Sequence, residues 1–336
     1  MTTRPGRKRN DRRRLGAVSA VRGGRHPVAD RHVRQSSRRL RKGLNVAAPT
    51  LFFCVGATKA GTSWLHEALS DHPECRFRSI KELHYFDALE HGRIAAQVSQ
   101  ITARRDDLAA RIDGAPVLKA AELAVRVQDR NDWLSVLAKG EDIDAYQAYV
   151  MAGAGEARVV GDVTPAYALL PEQRLQQMAG LSGDVRFLYL LRDPIARLWS
   201  HVRMMAARRG PDGKVDPQRA QNILNRTLRG DEHEIEIRGD YAAALTRLRA
   251  VIPSDRLLCV YYEDLFDGDG MAQICDFLSI SRISGDGARR VHAGAVLDMP
   301  APLREKAGAW LVPQYEFVAR TLGRLPLAWQ ANMQGV

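Results

Sequence analysis

The sequence predicts an α/β fold, three layers with a central parallel sheet flanked by helices, and three observations carry that expectation. Four short apolar runs recur along the chain: TLFFCVG (50–56), ARVVGDV (157–163), VRFLYLL (185–191) and RLLCVYY (256–262). Each is followed by a segment of helical character, the order that crossover units impose. The runs are near-continuously apolar rather than alternating, as in strands covered on both faces.

The first run ends in a turn bounded by Gly56 and Gly61, with a helix expected to start near Gly61. Free backbone N–H groups at a helix N-terminus hold anions, so CVGATKAGTSW (54–64) reads as a phosphate cradle and the fold as P-loop-like. In a nucleoside-triphosphate loop, GxxxxGK followed by Ser or Thr, the lysine comes after the second glycine and the next hydroxyl meets Mg²⁺. Here Thr62 stands in the lysine's place and Lys59 sits inside the loop, toward the leaving side of a single terminal phosphate. No acidic residue ends an apolar strand as a convincing Mg²⁺ ligand. Both features weigh against a kinase or ATPase.

SIKELHYFD (79–87) comes next. A polar edge strand with Tyr85 and Phe86 packed inward accounts for the aromatics but leaves the charged residues without a purpose. The polar, Gly- or Arg-rich stretches 88–135 and 208–238 are expected as helical insertions or mobile loops, the second a candidate lid. In GDVTPAYALLPE (161–172), Pro165 ends the second run. The third ends at Arg192, where Asp193 can cap a helix, Pro194 fits its first position, and Ile195, Leu198, Trp199 and Val202 form a buried stripe. Arg192 therefore projects from the carboxyl edge of the sheet, where open α/β folds bind ligands, and Ser200 falls on the polar side of the helix. A planar guanidinium suits a phosphate dianion. After the fourth run, Met271, Ile274, Cys275 and Leu278 mark a closing helix.

The 336 residues are 45% apolar and 26% charged, normal for one large or two ordinary soluble domains. The formal charge of +11 is unevenly spread: residues 1–50 hold 15 Lys and Arg against Asp11 and Asp30, leaving 35 basic and 37 acidic residues for 51–336. A near-neutral body disfavours a nucleic-acid binder. The expected division is a basic disordered tail over 1–46 and a single folded domain over 47–336. The tail suits an anionic membrane surface, although a solvated extension or an early start codon is the plainer account, and it resembles no secretory signal. No run approaches the ~18 apolar residues of a transmembrane segment. Cys54, Cys75, Cys259 and Cys275 lack CxxC pairing, which argues against zinc and against a disulfide scaffold and for reduced thiols in a cytoplasm.

GATKAGTSWL (56–65) resembles the 5′-phosphosulfate-binding loop of sulfotransferases that use 3′-phosphoadenosine 5′-phosphosulfate (PAPS). The resemblance implies that Lys59 contacts the 5′-phosphate and the bridging oxygen, that Gly56, Thr58, Ala60, Gly61, Thr62 and Ser63 complete the cradle, and that Trp64 stacks on adenine. The alternative for Trp64 is a core position on the helix face of Ala68. LYLLRDPIARLWSHV (188–202) resembles the family's 3′-phosphate motif, which implies that Arg192 and Ser200 bind the 3′-phosphate. The KExHxF(D) pattern in 79–87 resembles that of heparan-sulfate-type enzymes and bacterial relatives, in which the glutamate, here Glu82, takes the acceptor's proton. His84 is the rival base, because cytosolic small-molecule members use histidine. Burial beside His84, Tyr85 and Phe86 is expected to raise the Glu82 pKa. Lys81 and Asp87 are candidates for positioning the acceptor or the base, and Tyr167 for the acceptor site. LREKAGAWLVPQYEFVARTLGRLP matches the closing helices of bacterial members in outline, and no residue is assigned to a third phosphate contact. The implied activity is sulfuryl transfer from PAPS, a co-substrate, to a hydroxyl, less readily an amine, of a small-molecule, glycan or glycolipid acceptor. It involves no metal and no specific nucleic acid. The alternative is a P-loop nucleotide kinase or other phosphotransferase.

Overall fold

Five strands, β1 (Thr50–Gly56), β2 (Cys75–Phe77), β3 (Val159–Val163), β4 (Val185–Leu191) and β5 (Leu257–Tyr261), pair in the order β2-β3-β1-β4-β5. Every pairing is parallel. The computed structural model describes residues 48–282 and 297–334; the tail expected over 1–46 lies outside the described residues. The four expected strands form where the apolar runs stand. Every residue of β1 and β3 is buried, as continuous apolar runs require. Phe53 sits at the centre, stacked on Phe187 with ring centroids 5.4 Å apart and meeting Phe86 and Tyr167 edge-on. At Gly56 a Cβ would stand 2.3 Å from the Tyr189 ring, where the β1–β4 register shifts, so this position needs glycine for close approach. The strand without a counterpart in the sequence reading is β2, an edge strand of three residues.

Helix α1 (Thr62–Ser70) follows β1. After β2 the chain runs as a loop through His84 and enters α2 (Tyr85–Glu90), so 79–87 is not the edge strand that its aromatics allowed. The first insertion is mainly helical: α3 (Ile94–Ala110) and α4 (Val117–Leu137) form a hairpin and α5 (Ile143–Met151) leads into β3. A 3₁₀ turn (Pro165–Leu169) and α6 (Glu172–Ala179) join β3 to β4. From β4 the chain enters α7 (Pro194–Arg208), then α8 (Pro217–Thr227), α9 (His233–Ile237) and α10 (Tyr241–Val251) before β5. The second insertion is thus built of short helices rather than a loop. Buried Glu232 pins it, taking both terminal nitrogens of Arg209 at 2.7 Å and Arg226 at 3.2 Å. Helices α11 (Asp264–Asp267), α12 (Gly270–Leu278), α13 (Ala301–Leu322) and α14 (Leu327–Gln334) complete the described chain.

Two features of this topology position the site. The chain leaves β1 toward β3 and β2 and later crosses to β4 and β5, so the loops after β1 and β4 lie side by side at the carboxyl edge, the switch point of an open sheet. At the second loop, Asp193 caps α7 by accepting from the Ala196 N–H at 2.8 Å, with Pro194 in the first turn. Its other carboxylate oxygen accepts from the Tyr315 hydroxyl of α13 at 2.8 Å and the Asn332 amide of α14 at 2.9 Å.

Candidate active site

A cavity of about 650 Å³ opens over these two loops. It is lined by Thr58, Lys59, Gly61, Thr62, Ser63 and Trp64 from the β1–α1 loop, by Lys81, Glu82 and His84 from the loop before α2, and by Arg192 and Ser200 from the β4–α7 junction. Three stretches far apart in sequence therefore meet in one space. Gly56, Ala60, Asp87 and Tyr167 do not line it. Gly56 lies within the sheet, and fully buried Ala60 spends its N–H on the Ala57 carbonyl at 3.1 Å. Tyr167 departs from its expected acceptor role: it is fully buried, its hydroxyl donating to Asp162 at 2.7 Å and accepting from the Tyr85 N–H at 3.1 Å. It buttresses α2 from beneath.

The β1–α1 loop is shaped for an anion. Lys59 has φ 69° and Gly61 φ 92°, and a Cβ on Gly61 would meet the Tyr262 ring at 2.7 Å, so only glycine fits the turn into α1. The N–H groups of Thr58, Lys59, Gly61, Thr62, Ser63 and Trp64 find no partner among the described residues, and the first turn of α1 carries no acidic side chain. Unpaired amides at the positive end of a helix dipole fit a phosphate. Lys59 forms no ion pair among the described residues. Burial, reinforced by Arg192, Arg208 and Arg203, lowers its pKa, with Glu82 opposing.

Arg192 joins this loop to the next. Its Nη1 donates to the Lys59 carbonyl at 3.2 Å, and its guanidinium lies 4.7 Å over the Tyr262 ring. The Tyr241 hydroxyl clamps its backbone, accepting from its N–H at 3.1 Å and donating to its carbonyl at 2.6 Å. Ser200 makes no hydrogen bond among the described residues. Trp64 is half-buried and meets Phe266 with centroids 5.0 Å apart, so it packs on the core while still lining the cavity.

Glu82 and His84 have φ 63° and 52°, values that cost a non-glycine residue energy and cluster at functional sites. The turn folds His84 between two carboxylates: Nδ1 lies 2.8 Å from Asp87 and Nε2 3.3 Å from Glu82, whose other oxygen accepts from Lys81 at 2.5 Å. The Glu82 pKa moves opposite to the expectation. Burial alone would raise it, but His84 and Lys81 together hold it at about 2. Burial alone would lower His84, and the two carboxylates raise it to about 9. At neutral pH the pair is a carboxylate beside an imidazolium.

With this geometry in hand, comparison with known proteins decides the family: residues 49–283 match the model of the sulfotransferase family. The chain belongs to the sulfotransferase family. It is a transferase acting by sulfotransfer, and the phosphotransferase alternative gives way. Comparison with curated proteins gives no significant match. Among solved structures, the chain is similar to a sulfotransferase from Alicyclobacillus acidocaldarius, with 23% identity and a TM-score of 0.55 over 84% of this chain and 99% of that one. It is also similar to the sulfotransferase domain of the Synechococcus PCC 7002 olefin synthase, with 18% identity and a TM-score of 0.46 over 83% and 96%. The first likeness shows the sulfotransferase fold. No helix among the described residues is long and apolar enough to cross a membrane, and none of them form a group of three or more His, Cys, Asp or Glu placed to hold a metal.

The sulfotransferase cavity also contains groups that the sequence reading missed. Gln100 and Arg104 enter from α3, Glu234 and Arg238 from α9 and its C-cap, and His201, Met204, Met205 and Arg208 from α7. The signal for the last four was present: positions 200, 201, 204, 205 and 208 make a second helical stripe, opposite the apolar one that was read. Outside the cavity, two buried carboxylates hold the 78–84 loop. Asp162 accepts from Thr164 at 2.7 Å, from Tyr167 and from the Leu83 N–H at 3.4 Å. Asp129 accepts from the Ser79 N–H at 2.7 Å, Arg78 at 2.6 Å and Tyr149 at 2.9 Å. An aspartate inside the apolar run VVGDV was the readable sign of the first.

Proposed function

We propose that the chain transfers the sulfuryl group of PAPS to a hydroxyl of a small-molecule or glycan acceptor, a carbohydrate or glycolipid, with Glu82 as the base. The observation that supports this is the Arg192–Lys59 hydrogen bond, which couples the amide cradle to a second anion-binding pair, Arg192 and Ser200. A donor with separate 5′- and 3′-phosphates matches two such sites, whereas a nucleoside triphosphate needs only the first. When bound, the donor supplies the sulfuryl group and a phosphate that can leave.

In this reading the amides of residues 58, 59 and 61–64 and the Lys59 side chain hold the 5′-phosphate, Arg192 and Ser200 hold the 3′-phosphate, and Trp64, backed by Phe266, offers a ring face to adenine. Glu82 receives the acceptor's proton as the acceptor oxygen bonds to sulfur and the sulfur–phosphate oxygen bond breaks. Lys59 offsets the charge growing on the departing phosphate, a task that needs no metal in this scheme. His84, an imidazolium with both nitrogens engaged, has no lone pair to offer and orients Glu82 instead. A carboxylate held at about 2 is a weak base, so the proton moves late, once S–O bond formation has acidified the hydroxyl. The four free cysteines suit a reducing compartment, and we place the reaction in the cytoplasm.

Calorimetric titration with 3′-phosphoadenosine 5′-phosphate and with ADP, in EDTA, tests the reading. The expected result is a clear preference for the 3′-phosphorylated nucleotide that weakens roughly 10- to 100-fold in Arg192→Ala, the range for a charge-assisted phosphate contact. Equal affinity for the two nucleotides, or no binding, would refute it.

A further inference from the structure

The cavity extends beyond the groups that the donor would use. Along α7 it is lined in turn by Ser200, His201, Met204, Met205 and Arg208. At about 1.5 Å of rise per residue, Arg208 stands about 12 Å along the helix from Ser200. The methionines between them present pliable apolar surface, suited to the body of an organic molecule and not to a phosphate. His201, only 2% exposed, has an Nδ1 without a partner among the described residues; burial, with Arg197, Arg238, Lys59 and Arg208 nearby, holds it at about 3, so it is a neutral imidazole that adds no charge here.

The charge at this end is positive and largely unspent. Arg208 and, from α3, Arg104 make no hydrogen bond or ion pair among the described residues. Arg238 is engaged by Glu234 at 3.2 Å. Both unpaired arginines reach the cavity, although residues 51–336 as a whole are near neutral, 35 basic against 37 acidic. In the scheme above the donor's phosphates already have their partners in the amide cradle with Lys59 and in Arg192 with Ser200.

Building on that scheme, we propose that the acceptor is itself an organic anion, its body lying along Met204 and Met205 and its carboxylate or equivalent group bound by Arg208 with Arg104. A guanidinium's planar fork matches a carboxylate in two parallel hydrogen bonds. An acidic sugar has the required parts: a hydroxyl for Glu82 and a carboxylate for the arginines. The specificity determinants thus come from the end of α7 and the first insertion, not from the donor motifs.

The test uses the full chain saturated with 3′-phosphoadenosine 5′-phosphate and titrated with 4-nitrophenyl β-D-glucuronide and with the matching glucoside, which lacks the carboxylate. Wild type should bind the glucuronide roughly tenfold more tightly or better. In Arg208→Gln that preference should shrink to about threefold or less, with Arg208→Lys intermediate, because an ammonium keeps the charge but not the fork. Arg208 is exposed, so the substitution spares the core. Nucleotide affinity should change by no more than about twofold in Arg208→Gln. Absence of a preference in wild type, including failure of both glycosides to bind, would overturn the inference. So would a roughly tenfold loss of nucleotide affinity in Arg208→Gln, which would give this arginine to the donor. Failure of wild type to bind the nucleotide would instead sink the donor assignment.

Discussion

Glu82 and His84 adopt backbone conformations that neither residue type favours, and the return is an imidazolium held between two carboxylates. The pH dependence follows from the directions of the shifts. His84 is raised from 6.5 to about 9, so its contribution to stability is complete below about pH 6.5 and is lost as pH climbs through 9. Glu82 is lowered from 4.5 to about 2, so its contribution is present above about pH 4.5 and is lost as pH falls through 2. Between those limits the pair contributes fully. In an NMR titration the His84 ring should change state above pH 8, and Glu82→Gln should bring its midpoint down by about one unit or more. A midpoint near 6.5 in wild type would show that the carboxylates do not hold it. The same residues show where the sequence stopped being informative. Lys81, Glu82, His84 and Asp87 were all visible as charged neighbours; what could not be read was the left-handed turn at 82 and 84 that folds the ring back onto Glu82. Proximity to aromatics pointed to a raised pKa, and the ion cluster reversed it.

At the scale of elements, the loop carrying these residues has no regular hydrogen-bonding pattern of its own and depends on two carboxylates beneath it, Asp162 from β3 and Asp129 from α4. Removing the first leaves Thr164, Tyr167 and the Leu83 N–H without their acceptor. Asp162→Ala should therefore lower stability by about 2–4 kcal/mol in urea unfolding, and lower kcat more than nucleotide affinity, since the loops proposed to bind the donor are built elsewhere. Equal losses in both would mean that Asp162 acts only on the fold. The strands β1, β3 and β4 were legible because burial on both faces writes itself as a near-continuous apolar run, and β5, an edge strand only half-buried over Leu257, Leu258 and Cys259, because its residues are apolar all the same. The edge strand β2 was not: three residues with exposed Arg76 in the middle give no period to detect. The start of α2 at Tyr85 was also hidden, since His84 provides no side-chain cap. By contrast, Asp193 and Pro194 announced α7 through local chemistry alone.

Over the whole molecule, the proposed donor site is held together from the far end of the chain. Tyr315 and Asn332 bind the Asp193 carboxylate, and Trp329 of α14 stacks on Tyr241, the residue that clamps Arg192, with centroids 6.2 Å apart. None of these C-terminal residues lines the cavity. Asn332→Ala combined with Tyr315→Phe should nonetheless weaken nucleotide binding by roughly 3- to 10-fold through loss of two hydrogen bonds of about 1 kcal/mol each, part of which falls on stability. Unchanged affinity would show that Asp193 needs only its cap. One practical outcome concerns damage and handling at that end. A stop codon introduced before Trp329, or a purification handle that pulls α14 out of place, would produce a protein still able to assemble its central sheet yet poor at holding the proposed donor. The lesion would be misread as a fault in the β1–α1 loop more than 260 residues upstream.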